Sequence, residues 1–573
     1  MTADFNIMVG GEAGQGVQSV GAILAKAFAR GGFSVFADQD YESRVRGGHN
    51  FFRIRAVTGG LPAISLELDV LVALNKETVD LHRAELKTGG VIIYDAEQTG
   101  SKTEGAGSFN VPFARLAQEK VQNKLMANSV AVGAALGLIN YDFEILSGVL
   151  EQEFGRHGEK TVKDNITAAR AGYDFARENS KAFPLPEIHP LPGKSQHLLL
   201  NGNEALCLGS LAAGCKFVAG YPMTPSSPIL EYIADKGRQY GAVMMHVEDE
   251  ISAMNMAVGA GYTGVRSMVA TSGGGFCLMV EGLALAGMTE TPVVVVLGQR
   301  PGPATGLPTR TEQAELFFAL HAGHGEFPRA LFAPADAADA FNVAVKAFNL
   351  AEKYQTPVLI LTDHHLASSY ATVDKFDLSQ VKIERGDLIS SDDPDYKRHA
   401  VTASGVSPRA LPGHGKALVV TDSDEHDEAG HMIEDAATRQ AQVEKRLRKL
   451  NGLKREITPP EFHEAQGAAV TLIGWGSTYG AILEAAALLE KDGKPVNALH
   501  FSQLWPFPAD AAAAALKQDG KNIAVEGNAT GQLAQLIRRE TGQSVDGMIL
   551  KYDGRPFSPH EIVDRLTREV KAW

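Results

Sequence analysis

The chain has 573 residues, 44% of them apolar and 21% charged, with 68 acidic against 54 basic side chains and a net charge of -14. That length buries several cores and predicts about three or four domains, while the acidic balance, with no basic stripe, excludes non-specific nucleic-acid binding. No apolar run is long enough to cross a bilayer, and the opening Met1-Thr-Ala-Asp-Phe-Asn lacks a basic segment followed by an apolar one, so a cytoplasmic location is expected.

The first strand, Asn6 to Val9, runs into Gly10-Gly-Glu-Ala-Gly-Gln-Gly16, ahead of a helix from Val17 to about Arg30. Glycines there permit tight turns and let backbone N–H groups approach an anion at the helix N-terminus. No Gly-Lys-Ser/Thr follows, so this is not a Walker loop, and it is a poor dinucleotide fingerprint. The next strand, Ser34 to Ala37, leads to Asp38-Gln-Asp-Tyr-Glu-Ser-Arg-Val-Arg-Gly-Gly48. Arg44 and Arg46 beside two glycines suit a phosphorylated or acidic ligand; the plain alternative is a turn with solvated charges. Strands at Val70–Ala73 and Val91–Tyr94 complete a first α/β domain, residues 1–183. A linker, 184–195, follows, because four prolines between Pro184 and Pro192 cannot continue a helix.

The central domain, residues 196–374, carries apolar strands at Lys216–Ala219, Val243–Val247, Ser267–Ala270 and Val293–Leu297. Ala- and Gly-rich helical stretches alternate with them, which predicts a doubly wound, mostly parallel sheet whose ligands sit beyond the carboxyl ends of the strands. Four junctions leave those ends: Tyr221-Pro-Met-Thr-Pro-Ser-Ser227, the acidic Glu248-Asp-Glu250, Thr271-Ser-Gly-Gly-Gly275 and Gln299-Arg-Pro-Gly-Pro-Ala-Thr-Gly306. They are expected to converge on one site. Thr224, Ser226 and Ser227 offer hydroxyls on a proline-stiffened loop. Arg300 can take a carboxylate by two parallel bonds, the alternative being an interdomain ion pair. The acids at a strand-to-helix junction read either as a helix cap or as a carboxyl that exchanges a proton with a ligand nitrogen.

Residues 375–465 form an acidic connecting segment. Its His/Asp/Glu run, Asp422 to Glu428, reads as a solvated loop rather than a metal site, and a charged helix is expected from about Glu434 to Asn451. A last α/β domain, 466–573, has strands at Val470–Ile473, Val496–Leu499 and Asn522–Val525. Cys207, Cys215 and Cys277 have no paired spacing; they read as small buried hydrophobes, not as a disulfide framework, a zinc site or a cluster site.

The four central motifs, with Glu312-Gln313 after the arginine loop, resemble those of 2-oxoacid:ferredoxin oxidoreductase alpha subunits. The N-terminal domain resembles the family's gamma domain and the last its transketolase-C-like domain, a fusion most similar to 2-oxoglutarate-type members. The resemblance implies thiamine-diphosphate-dependent oxidative decarboxylation of a 2-oxoacid with coenzyme A, electrons passing through iron–sulfur clusters to ferredoxin, or the reverse carboxylation. By the same resemblance, Glu250 holds N1′ of the thiamine aminopyrimidine, with Glu248 as the second candidate. Arg300 and Thr305 recognise the substrate carboxylate, and Thr224 lies near the reactive carbon. The loop with Gly11, Gly14 and Gly16, together with Arg44 and Arg46, helps receive coenzyme A. No Gly-Asp-Gly with following asparagines is present, so Mg2+, the diphosphate and a [4Fe-4S] cluster are expected on a partner beta subunit, in an (alpha-beta)2 assembly. Pyruvate or another 2-oxoacid remains open as substrate. A non-catalytic scaffold and a transketolase-like enzyme acting alone are the other readings.

Overall fold

The structure, a computed structural model, describes residues 4–43, 47–60, 63–100, 107–193, 197–517 and 520–569. It divides into two compact units: residues 1–200 with 369–375, and residues 201–368 with 376–573.

The first unit is built on β1 (Asp4–Ala13), β2 (Ser34–Asp40), β3 (Gly47–Val57), β4 (Leu68–Ala73), β5 (Leu86–Tyr94), β6 (Ser108–Asn110), β7 (Leu198–Asn201) and β14 (Tyr370–Val373). They lie in the order β6-β5-β4-β1-β3-β2-β14-β7. The sheet is mixed rather than mostly parallel: β1, β4, β5 and β6 pair in parallel, whereas β1/β3, β2/β3 and β2/β14 are antiparallel. The reason is connectivity. The link 41–46 is too short for a crossover, so β3 must return beside β2. Helices α1 (Val17–Arg30), α2 (Ala127–Leu138) and α3 (Glu159–Asn179) belong to this unit. The α2 and α3 backbones touch closely, since a Cβ on Gly133 would clash with Ala169 O and one on Gly172 with Val130 O. The Pro184–Pro192 stretch has no helix or strand and is bonded to this unit through Ile188 N–H to Ile139 O, 2.9 Å, and Leu191 N–H to Gly31 O, 2.8 Å.

In the second unit, β8 (Phe217–Gly220), β9 (Val243–His246), β10 (Ser267–Thr271), β11 (Val293–Gln299), β12 (Ala330–Phe332) and β13 (Pro357–Asp363) make a parallel sheet. Every residue of β10, β11 and β13 is buried, as expected of strands covered on both faces. After a two-stranded pair, β15 (Leu388–Ile389) and β16 (Arg409–Ala410), come β17 (Glu461–His463), β18 (Val470–Trp475), β19 (Asn497–Phe501), β20 (Gln503–Trp505), β21 (Lys521–Glu526) and β22 (Gly547–Leu550). β20 leaves its neighbours and joins the edge of the central sheet, Trp505 opposite Leu331. One core then holds Leu297 and Leu361 together with Ile473, Trp475 and Leu499. The helices that matter for the site are α4 (Ser227–Lys236), α5 (Glu250–Tyr262) and α6 (Gly273–Met288), with α7 (Ala337–Tyr354) and α8 (Ala436–Glu456) behind the sheet and α9 (Gln532–Thr541) after β21.

Two expectations need correcting. Cys207 and Cys215 are buried, but Cys277 is exposed, because it falls on the outward face of α6. The connecting segment is also not simply solvated: His399, His426, Lys445 and Lys449 are all fully buried. The Glu290 carboxylate lies 2.5 Å from Lys445 Nζ, 2.5 Å from Lys449 Nζ and 3.0 Å from His399 Nδ1. Burial alone would push this carboxyl up, but the two ammonium groups and His399 outweigh it and hold it well below the usual carboxylate range. Lys445 and Lys449 of α8 are thereby turned inward onto a carboxylate partner, the condition under which buried charge is tolerated.

Candidate functional site

The four junctions leave the carboxyl ends of adjacent parallel strands, and side chains tie them to one another. Ser226 Oγ donates to Thr271 O at 2.6 Å, and Asn203 Nδ2 donates to Pro225 O at 2.9 Å, fixing the Thr224 loop from both sides. Arg300 Nη1 donates to Thr224 O at 2.8 Å, joining the fourth junction to the first. The structure therefore brings Thr224 and Arg300 together. Thr305 lies on the exposed outer part of the arginine loop.

Glu250 is the first residue of α5 and is 4% exposed, whereas Glu248 is exposed. Capping falls to the residue between them: Asp249 is the N-cap and accepts from Ser252 N–H at 2.8 Å. Glu250 is thus free of the structural duty that would explain an acid at this junction. Its Oε1 is shut off from solvent and has no hydrogen-bond partner. Such an oxygen is costly unless something that donates a hydrogen bond arrives. The carboxyl sits in a notch: a Cβ on Gly275 of α6 would stand 2.5 Å from Glu250 Oε1 and would also clash with Thr271 Oγ1. Ser272, the N-cap of α6, adds a second buried oxygen without a partner. A group that donates a hydrogen bond would satisfy the Glu250 oxygen.

A frame holds the arginine loop from behind. Gln313 spends its whole polar inventory on the last sheet. Its N–H donates to Gly527 O at 2.6 Å, its Oε1 accepts from Gly527 N–H at 3.0 Å, its Nε2 donates to Trp475 O at 2.8 Å, and its carbonyl accepts from Asn528 Nδ2 at 3.1 Å. Glu526, at the end of β21, is buried and accepts from Leu533 N–H at 2.8 Å, Ala534 N–H at 3.0 Å, Asn528 Nδ2 at 2.9 Å and Trp475 Nε1 at 3.2 Å. Gln313→Ala strands the Gly527 and Trp475 groups, and we expect it to cost about 1–2 kcal/mol in denaturant unfolding; an unchanged midpoint would remove Gln313 from the frame. Its place beside Glu312 in the motif was visible in the sequence, but the non-local partners that give it a purpose were not.

In the first unit, Gly10 and Gly11 belong to β1 rather than to the loop, because β1 pairs with β3 as far as Ala13. The turn proper is Gly14 to Gly16, with φ of 95° and 81° at its two glycines. Gln15 closes it, its Oε1 accepting from Glu12 N–H at 2.8 Å and its own N–H donating to Glu12 O at 3.1 Å. Gly16 precedes the first turn of α1. Arg44 and Arg46 lie outside the described residues. Among the described residues no three His, Cys, Asp or Glu side chains gather as a metal site, and no helix is long and apolar enough to cross a membrane.

Comparisons with known proteins match each of the three α/β regions of the chain. Residues 208–445 match the family described as "Pyruvate flavodoxin/ferredoxin oxidoreductase, thiamine diP-bdg", residues 6–175 match "Pyruvate ferredoxin/flavodoxin oxidoreductase", and residues 462–565 match "Transketolase, C-terminal domain". The 2-oxoacid:ferredoxin oxidoreductase subunit alpha of Sulfolobus sp is 33% identical over 98% of this chain and 96% of its own length. The 2-oxoglutarate oxidoreductase subunit KorA of Mycobacterium tuberculosis is 30% identical over 99% of this chain and 91% of its own. A solved structure, the 2-oxoglutarate:ferredoxin oxidoreductase from Magnetococcus marinus with 2-oxoglutarate, coenzyme A and succinyl-CoA bound, superposes with a TM-score of 0.91 at 34% identity, covering 99% of both chains.

Proposed function

The chain belongs to the 2-oxoacid:ferredoxin oxidoreductase alpha subunits, and on that premise we propose that it builds the aminopyrimidine and oxoacid side of a centre completed by a beta subunit. Within it, Glu250 holds a proton at N1′ of the cofactor ring. Arg300, with Thr305 and Thr224, receives and orients the oxoacid. The observation that carries this reading is the unpartnered, buried Glu250 Oε1 in its glycine notch, one loop away from a guanidinium anchored on Thr224. Thiamine diphosphate, when bound, supplies the nucleophilic carbon and the electron sink.

The proposed reaction converts 2-oxoglutarate and coenzyme A into succinyl-CoA and CO2, with two electrons passing to ferredoxin, or runs in reverse. The 2-oxoglutarate assignment is supported by the ligands of the Magnetococcus marinus structure and by the naming of the Mycobacterium tuberculosis relative. Gly11 of β1, the Gly14–Gly16 turn and the Arg44–Arg46 segment of the gamma-like domain are proposed to help receive coenzyme A. The proposed domains are 1–183, linker 184–195, pyrimidine-binding 196–374, connecting 375–465 and transketolase-C-like 466–573. Mg2+, the diphosphate and the [4Fe-4S] cluster fall to the beta subunit, in a cytoplasmic (alpha-beta)2 assembly. Support for a protein partner here comes from Tyr221, Ile251, Leu278 and Leu307. They stand 42–50% exposed on the Thr224 loop, α5, α6 and the arginine loop, more apolar surface than water alone favours.

The test is reconstitution. We expect the chain by itself to show no oxoacid-dependent ferredoxin reduction and weak thiamine diphosphate binding, and the complex with beta to prefer 2-oxoglutarate to pyruvate in kcat/KM. Turnover by the chain alone would sink the half-site reading, and a preference for pyruvate would sink the substrate assignment only.

A further inference from the structure

Glu315 enters the same recess from another element. Its backbone N–H donates to Gln299 Oε1 at 3.1 Å, and the frame around Gln313 fixes the chain two residues before it. Its Oε1 occupies the space that a Cβ on Gly273 would need, and its Oε2 is closed off from solvent with no hydrogen-bond partner. Gly273 and Gly275 belong to the first turn of α6, and the second notch is the one filled by Glu250. Two carboxyl groups from separate elements thus reach one helical turn through two glycine gaps, each keeping an unpartnered oxygen. Glu526 shows how a structural acid behaves in the same unit: both of its oxygens are spent on backbone N–H groups.

The charged groups bearing on Glu315 are Arg300 from the end of β11 and Glu312 from its own segment, with Glu250 facing the same turn from α5. We propose that Glu315 is a specificity-determining residue of the oxoacid pocket: as a neutral acid it leaves the charge of Arg300 to the substrate carboxylate and offers that anion its O–H. The inference rests on the assignment of Arg300 above. Burial pushes the Glu315 carboxyl up to about 8, Arg300 pulling it back and Glu312 adding to the rise. The sign follows. Below that value Glu315 is uncharged and Arg300 is unspent; above it an anion near Arg300 offsets part of its charge and repels the incoming carboxylate. Substrate binding is therefore lost as pH rises through about 8.

The experiment uses the reconstituted complex at saturating coenzyme A. Two constants are measured across the neutral to alkaline range: KM for the substrate 2-oxoglutarate, and Ki for glutarate, which lacks the reacting keto group. In the wild type both constants are expected to rise about tenfold between about pH 7 and pH 9, the factor for loss of a required proton. Glu315→Gln removes this rise, whereas Glu312→Gln keeps it. A flat wild-type profile, a rise that survives in Glu315→Gln, or one that disappears in Glu312→Gln overturns the proposal, and the wild-type profile is decisive even if a variant fails to assemble. Arg300→Lys separates the two levels: unchanged KM at neutral pH defeats the Arg300 assignment, while a raised KM beside an unaltered Glu315→Gln profile defeats only the role of Glu315.

Discussion

Glu250→Gln is expected to lower kcat of the reconstituted complex by about 10²- to 10⁴-fold, the range for removing a positioned acid–base group. Glutamine has almost the shape of glutamate, so the Gly275 notch still closes and α5 keeps its Asp249 cap. What changes is the chemistry at one atom. A carboxylate oxygen accepts a hydrogen bond and can take the proton; an amide oxygen accepts a hydrogen bond but cannot take the proton, and the amide's NH2 group cannot accept at all. The loss should therefore appear in kcat, and also as weaker thiamine diphosphate binding to the complex by calorimetry, because the Oε1 that awaits a donor is no longer a charged acceptor. Full activity in Glu250→Gln would end its assignment, and the same loss in Glu248→Gln alone would move the role to the exposed acid two residues earlier.

Much of the second unit was legible because its strands are apolar runs too uniform to be half-solvated. Val293–Leu297 read as a strand covered on both faces, and all of Val293–Gln299 is buried. The glycines and prolines after each run marked where strands end, and hence which loops share one edge of the sheet. Three features escaped for physical reasons. β3 alternates Phe52, Ile54 and Ala56 with Arg53 and Arg55, but it opens on Gly47-Gly48, which reads as a turn. β20 pairs with β12 across a sequence gap that no local pattern reports. Lys445 and Lys449 sit in a highly charged helix, where charge normally signals solvent; partners far away in the chain, Glu290 for both and the Gln355 carbonyl for Lys449, make their burial possible. Within the site, the Glu-Asp-Glu run named the right junction and left open which acid does what. Burial divides the duties, with Asp249 on the helix and Glu250 in the recess. Glu315 carried no signal of its own, because an acid three residues after Glu312 looks like surface until Gly273 is seen to make room for it.

Arg300→Lys is expected to cost about 1.5–3 kcal/mol in kcat/KM for 2-oxoglutarate, roughly a ten- to 150-fold loss, the worth of a hydrogen bond to a charged group. Charge is conserved in this substitution, so the effect isolates geometry. Arg300 already commits Nη1 to Thr224 O at 2.8 Å, which locks the plane of the guanidinium against the proline-stiffened loop. Its other N–H groups remain in a fixed fork, matched to the two oxygens of a carboxylate. A lysine ammonium is a single point at the end of a flexible stem. It must either serve Thr224 O and abandon the substrate, or reach the substrate and release the loop that Ser226 and Asn203 hold in place. Either choice weakens the oxoacid more than coenzyme A, so KM for the thiol should stay within about twofold while KM for the oxoacid rises. Equal changes in both would mean that the substitution had loosened the complex as a whole. An oxoacid KM and kcat like those of the wild type would mean that the guanidinium anchors a loop and nothing more.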